Sequence, residues 1–439
     1  MKILLSTWGS PLNWRNSRYR GLGDQFRCPE RDVFTPLPCY INGVDRVVII
    51  ALDSVIAASH RGYVNREALH CAGVVGLQID SPNLQSNPRG ELEGSVTIRP
   101  GVDNYRDWVE RARRYVKCVA GRAVERDVDV VIAPAMGRLG GYVYKPKEPG
   151  YFSTISLLEI YSLLKEVLSG ITAIYLDVTH GINFMPTLTY LVARRLASLV
   201  LAGGRVGEVA LQVLNAVQSG EDSYEIQRIH SERIRRIDLT VATSMKGNEA
   251  RVVKALAMAA PLAIYEACRR LGDSYKPEEE LEGYRRKVVI REHEVLWDQV
   301  EDVDRTYLKL LAKRICERGW SNRLEDIDHN YFLRASKLHQ IFVNDELNDL
   351  RDLLHKKPQT GRIPYYKLRD SNKDENHAAR ERKKLEKPDD QVVRNFVAHA
   401  GLLDSIVEID RRDGEVVLEY ADPNLVMKFL DTKIVAEFI

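Results

Sequence analysis

Short apolar runs separated by helical patterns fill the first half of the chain. Lys2 to Ser6, Val47 to Leu52, Val74 to Ile79, Val128 to Ala133, Thr172 to Leu176 and Val209 to Leu214 read as strands. Patterns of period 3.6 over 104–126, 154–169 and 186–202 read as helices. Such alternation predicts an α/β domain, Rossmann-like, with a mainly parallel sheet flanked by helices. Val130-Val131-Ile132 is continuously apolar, as a strand covered on both faces requires. Ligands of such sheets sit beyond the carboxyl ends of the strands.

The second half is helical. Asn248 to Arg270 is apolar nearly all round, which predicts one buried helix kinked at Pro261. Further helices are expected over about 290–318 and 331–356, the latter with a stripe of Leu338, Ile341, Phe342, Leu347, Leu350 and Leu354. Residues 357–391 change character, with Pro358, Gly361, Pro364 and Pro388 among dense charge. From Arg362 to Arg394 ten Lys/Arg face seven Asp/Glu, so the segment reads as a solvated, charged insertion. Within it Tyr365-Tyr366-Lys367 and Lys383-Lys384 offer stacking faces and phosphate contacts. A turn at Asp413-Gly414, a strand over Glu415 to Tyr420 and a helix near 423–437 close the pattern. The expected organisation is an α/β domain over 1–238 and a mainly α-helical domain over 239–439.

Composition narrows the function. The 439 residues are 44% hydrophobic and 29% charged, a globular balance, and the net charge of +2 advertises no global field for nucleic acid. The six cysteines are scattered without a C-x-x-C pair, which argues against a zinc site or a disulfide framework and suits a reducing cytoplasm. The opening residues are too short in their apolar run for a signal peptide, and no stretch of about eighteen apolar residues predicts a membrane span. No G-x-G-x-x-G follows a strand and no G-x-x-x-x-G-K-[ST] occurs, so a dinucleotide dehydrogenase or P-loop NTPase is not expected.

Two places carry candidate chemistry. The first is Asp177-Val178-Thr179-His180-Gly181-Ile182-Asn183, where a strand ends in donors and a glycine just ahead of Pro186. That layout turns backbone N–H groups toward an anion, and His180 and Asn183 suit a base or a ribose. Other strand ends give Trp8-Gly9-Ser10, Asp53-Ser54 and a glycine loop from Met136 and Gly137 to Gly141. The second place is Arg394-Asn395-Phe396-Val397-Ala398-His399, an R-x-x-x-x-H pattern in an apolar helix. A guanidinium forks onto phosphate oxygens, and an imidazole exchanges protons near neutrality. Together they can cut RNA without a metal, the 2′-hydroxyl acting as nucleophile. On a straight helix Arg394 and His399 lie about 140° apart, so Arg394 is better placed to act across an interface, while Asn395 shares the face of His399 and can orient it.

A sheet domain with the Asp177–Asn183 loop, followed by a helical domain with Arg394–His399, closely resembles the CARF–HEPN ribonucleases of type III CRISPR systems. The resemblance implies a homodimer, or a higher oligomer built from dimers, that binds a cyclic oligoadenylate and then cleaves single-stranded RNA in antiviral defence. It implies no metal and no cofactor other than this activator. By motif, Arg394, His399 and Asn395 match the catalytic residues. Thr179, His180, Gly181 and Asn183 match one ligand loop, and Trp8, Gly9 and Ser10 the other, with Met136 and Gly137 beside the same site. Two rivals stand: a cyclic-oligoadenylate-sensing DNA-binding transcription regulator, and a small-nucleotide enzyme in which the helical half only dimerises.

Overall fold

The computed structural model describes every residue except 24, 88–90, 149, 183, 273–274, 359, 413 and 439. Two compact units result. The first holds residues 1–200, 208–234 and 276–303, and the second holds 201–207, 235–275 and 304–439. The first is the α/β unit, and the second contains most of the helices beyond residue 235.

The α/β unit is built on a seven-stranded sheet. Its strands are β1 (Lys2–Trp8), β2 (Arg18–Arg20), β3 (Arg46–Leu52), β4 (Asp129–Ala133), β5 (Ala173–His180), β6 (Val209–Gly220) and β7 (Ser223–Ile234). They lie in the order β2-β7-β6-β5-β1-β3-β4. The pairs β4–β3, β3–β1, β1–β5 and β5–β6 are parallel, and β6–β7 is an antiparallel hairpin. Helices α1 (Tyr105–Ala123), α2 (Tyr151–Leu164) and α3 (Met185–Ala202) belong to this unit for all or nearly all of their length. The strand order reverses beside β1, so the crevice beyond β1 and β5 is where such a sheet takes a ligand.

Residues 276–303 join this unit through a buried ion cluster. Glu159 accepts from Arg113 at 2.5 Å, from Arg285 at 2.7 Å and from the Ile132 amide at 3.1 Å. Three donors satisfy a carboxylate that would otherwise be costly to bury.

Three expectations fail here. Val74 to Ile79 is not a strand of the main sheet. Val74 ends a helix, Gly76 turns with φ of 76°, and Gln78–Asp80 joins a small antiparallel sheet. The region expected as a helix from 290 begins with a hairpin, Val289–Arg291 and Glu294–Trp297, because β-branched and aromatic residues there pair with Tyr142–Pro146. The cysteines, expected to be unpaired, form three disulfides: Cys28–Cys39, Cys71–Cys118 and Cys268–Cys316. Partners 47 and 48 residues apart meet only through helix packing, so no local spacing signals them. Disulfides occur in oxidising compartments and in intracellular proteins of hyperthermophiles, so these cysteines no longer argue for a reducing cytoplasm. Full reduction is expected to lower the melting temperature markedly, because each of the two long loops is worth about 4 kcal/mol by chain entropy. A thermal scan with and without reductant checks this; identical midpoints would deny the pairs a stabilising role.

In the helical unit, α4 (Asn248–Ala257) and α5 (Pro261–Leu271) are separate helices rather than one kinked helix. The chain reverses at Met258–Ala260, where Ala259 takes a φ of 53°, and Pro261 starts α5 at a position that needs no N–H donor. Then follow α6 (Val303–Cys316), α7 (Lys337–Lys356), α8 (Tyr365–Arg369), α9 (Glu375–Glu386), α10 (Asp390–Ala398) and α11 (Pro423–Leu430). Gly361–Pro364, Val407–Arg412 and Glu415–Tyr420 form a three-stranded antiparallel sheet. The described residues of the 357–391 segment are therefore ordered structure, not a solvated loop: Tyr365, Tyr366, Leu368, Ala378 and Leu385 are buried. The turn expected at Asp413-Gly414 falls partly outside the described residues, but the strand that follows it is present.

Candidate catalytic and ligand sites

The helical unit places the R-x-x-x-x-H residues on and just past α10. Asp389 caps the helix by accepting the Val392 amide at 2.9 Å, and Val393, Phe396 and Val397 face the core. His399 is the residue after the last helical turn, with φ −97° and ψ 21°. Ala400 and Gly401 continue with positive φ, 50° and 70°, and the Tyr420 hydroxyl donates to the Gly401 carbonyl at 3.1 Å. A Cβ at Gly401 would stand 2.6 Å from the Ala260 methyl, so Gly401→Ala is strained twice, by space and by conformation. A loss of at least 1–2 kcal/mol is expected by denaturant titration; an unchanged midpoint would show that the turn adapts.

His399 is oriented by a carboxylate 53 residues earlier in the chain. Nδ1 lies 3.0 Å from Glu346 Oε2 on α7. Glu346 is 5% exposed, and its other oxygen accepts from the buried Tyr365 hydroxyl at 3.2 Å. A carboxylate only accepts, so Nδ1 carries the hydrogen and Nε2 is the ring nitrogen left with a lone pair. Burial and Glu346 together push the Tyr365 hydroxyl far up, so it remains a donor. Asn395 does not hold the ring. Its side chain accepts from Gln391 at 3.0 Å, and only its carbonyl touches His399, through the amide of that residue. Arg394 is exposed and does not line the cavity at His399. That cavity is about 510 Å³ and takes Arg369, Lys373, His377, Lys384, Asn395 and His399 among its walls.

The α/β unit gathers the other candidates at the ends of β1 and β5. Asp177 is the buried hub: it accepts from Ser6 Oγ at 2.8 Å, Thr179 Oγ1 at 2.6 Å and the Thr179 amide at 3.1 Å. Burial raises its carboxyl above the ordinary range despite these donors. Thr179 Oγ1 also accepts the Ala216 amide at 2.9 Å, so its hydroxyl is committed to the scaffold. Gly9 donates to the His180 carbonyl at 2.8 Å, which closes the two loops on each other. A Cβ at Gly181 would meet Thr7 Oγ1 at 2.6 Å and Pro186 Cγ at 2.9 Å, and one at Gly9 would meet Ile182 at 2.6 Å. A side chain at either place would force these neighbours to shift.

His180 stacks on Trp14 with ring centres 3.9 Å apart, and Trp14 meets Trp8 edge-on at 4.9 Å. The His180 Nε2 is buried without a partner among the described residues, and burial pushes the imidazole down to about 3, so the ring is neutral at ordinary pH. Gly9, Ser10, Thr179, His180 and Gly181 line one cavity of about 470 Å³, together with Trp14 and Tyr19. Trp8, Gly9 and Ser10 also line a smaller one of about 140 Å³. Met136 and Gly137 line neither; Leu139 and Gly140 of the same loop reach the smaller cavity instead. Asn183 lies outside the described residues. Lys145 and Lys147 pair with Glu294 and Asp298. Neither Trp14 nor Glu346 carries a sequence signal: the first sits in a loop with no motif and the second inside an apolar stripe.

The depressed His180 has a stability consequence. Its folded value of about 3 lies below the unfolded 6.5, so its contribution is complete above 6.5 and is lost as pH falls toward 3. Asp53, raised to about 6 by burial, works in the opposite direction over 3.8 to 6. Comparing wild type with His180→Phe isolates the histidine. The variant is expected to lose less stability between pH 6.5 and 4 than wild type, and parallel curves would contradict the burial argument.

Comparison with known proteins places both regions within matched domains. The CARF-domain model of the CRISPR system endoribonuclease Csx1 matches residues 3–217, and the HEPN-domain model of the same protein matches residues 336–422. The first range contains the β1 and β5 loops, and the second contains Glu346, Arg394 and His399. Sheet, helical unit and matches define a CARF–HEPN protein. Within that class, the chain belongs to the Csx1 family. The CRISPR system endoribonuclease Csx1 of Methanocaldococcus jannaschii is 22% identical over 237 residues, covering 52% of this chain and 40% of that protein. Among the described residues no helix is long and apolar enough to cross a membrane.

Proposed function

We propose that this chain is a cyclic-oligoadenylate-activated endoribonuclease that cleaves single-stranded RNA in CRISPR defence without a metal. The observation that carries the reading is the His399–Glu346–Tyr365 chain at the edge of a cavity large enough for a nucleotide. Glu346 fixes the tautomer, and His399 Nε2 exchanges a proton with the RNA. The 2′-oxygen forms a bond to phosphorus and loses its proton; the bond to the 5′-oxygen breaks, and that oxygen gains one. Arg394 stabilises the phosphate from the matching helix of a second copy, which accounts for its exposure and its absence from the His399 cavity. The DNA-binding regulator has no use for a carboxylate-oriented histidine at a cavity wall.

In the α/β unit, the cavity lined by Gly9, Ser10, Thr179, His180 and Gly181 suits a ring of splayed adenines. Trp14 and Tyr19 supply aromatic faces, the neutral His180 an unpaired buried nitrogen, and the glycines close backbone approach. A ring that binds one state of a two-fold assembly more tightly shifts the assembly to that state.

Gly181→Val is expected to weaken ring binding at least about tenfold by calorimetry, since the branched side chain must displace Thr7 or Pro186. The chemistry is tested on RNA carrying a single 2′-deoxy nucleotide. Cutting should stop at that nucleotide and elsewhere leave 2′,3′-cyclic phosphate ends. Cutting through the 2′-deoxy position would rule out 2′-hydroxyl attack.

A further inference from the structure

The charged 357–391 segment supplies walls to the His399 cavity. Tyr365 and Tyr366, the aromatic faces suggested by the sequence for stacking on RNA, are buried and hold α8 in place. Their burial turns other residues toward the cavity: Arg369 at the end of α8, Lys373 in the following turn, and His377 and Lys384 on α9. Three carboxylates also line it, and each is already engaged. Glu381 pairs with Lys384 at 2.7 Å, Asp404 with Lys373 at 2.8 Å, and Asp389 caps α10. Arg369 is exposed and makes no ion pair among the described residues.

We infer that the α8–α9 segment is the RNA-positioning arm of the catalytic site. Arg369 and Lys384 contact phosphates of the strand beside the cleaved bond, and His377 contacts the adjoining nucleotide. The inference rests on the ribonuclease reading and deepens it. The chemistry favours it: a guanidinium without a carboxylate partner forks onto phosphate, and the exposed Lys384–Glu381 pair is weak enough to exchange its carboxylate for a phosphate. About 510 Å³ holds a nucleotide, and both His399 and His377 line it.

The test separates binding from cutting by working in a His399→Ala parent, with a cyclic oligoadenylate present. Anisotropy of a labelled single-stranded RNA is read for the parent, for added Arg369→Ala/Lys384→Ala, for added His377→Ala, and for added Arg380→Ala. Arg380 is exposed on α9 but outside the cavity, so it serves as a charge control. The double substitution is expected to raise Kd about tenfold or more. It should also flatten the slope of log Kd against log salt by about 1.4, two phosphates at roughly 0.7 each. His377→Ala should raise Kd severalfold with little change in slope. Kd and slope equal to those of the Arg380→Ala protein would overturn the inference. Continued cutting by the His399→Ala parent would sink the ribonuclease reading separately.

Discussion

An equimolar mixture of Arg394→Ala and His399→Ala proteins is expected to regain about one quarter of wild-type cleavage, although neither cuts alone. His399 sits past the end of α10 and is turned to Glu346, while Arg394 projects from the exposed side of the helix. If a complete site takes its Arg from one copy and its His from the other, a mixed dimer has one site with both residues lost and one fully intact. Half of the dimers are mixed after random exchange, and each carries one working site of two. Separately, the losses should be about 10²–10⁴-fold for His399→Ala and 10²–10³-fold for Arg394→Ala. Subunits must be exchanged before the RNA is added. No recovery after verified exchange would place both residues in one protomer's site, and cutting by the Arg394→Ala protein alone would remove Arg394 from the chemistry.

Glu346→Gln is expected to lower kcat on the order of 10²-fold while leaving RNA affinity within about twofold. The substitution keeps volume and packing at a position 5% exposed, so collapse of the core is not the cause. An amide can present its NH₂ to the ring and select the wrong tautomer, leaving Nε2 protonated where a base is needed. A purely structural role would lower stability and spare turnover. The sharper readout is the double variant: with His399 already alanine, Glu346→Gln should cost nothing more, because the carboxylate acts only through the ring. An additional loss in the double variant would show that Glu346 touches the reaction on its own.

Much of the sheet was legible because its central strands are continuous apolar runs. β1, β3, β4, β5 and β6 each appear where such a run stands, and β1 and β5 carry the candidate loops at their ends. The run at Val74 to Ile79 shows the limit of that signal: a helix end and a turn give the same short apolar run, although only Val75 and Leu77 are half-buried or buried and Val74 and Ile79 are exposed. Likewise Met258-Ala259-Ala260 contains no glycine to announce the reversal between α4 and α5, and only the fold forces Ala259 to a positive φ. The antiparallel β7, with its exposed and charged positions, lacks the buried-strand pattern altogether.

Of the sites, the sequence shows motifs but not their partners. Arg394, Asn395 and His399 are recognisable from spacing, yet the residue that orients His399 lies 53 positions away, on a helix whose apolar stripe suggested only core. Asn395, the neighbour that spacing favours, is occupied by Gln391. The stack of Trp14 on His180 joins residues 166 positions apart, and two of the cysteine pairs span 47 and 48. Tertiary contacts of this kind leave no periodic trace. The glycines at 9 and 181 are the exception, since two adjoining loops closing on each other require small residues at both ends.

A messenger bound in the α/β unit is expected to switch on cutting in the helical unit, and cleavage of a labelled single-stranded RNA in EDTA reads this out. Wild-type protein is compared with no addition, with cyclic tetra-adenylate and with cyclic hexa-adenylate, beside the His399→Ala protein under the same conditions. Cutting that appears only with a ring, and is absent in the variant throughout, is the predicted result. Cutting at the same rate with and without either ring, or cutting that persists without His399, would contradict the account.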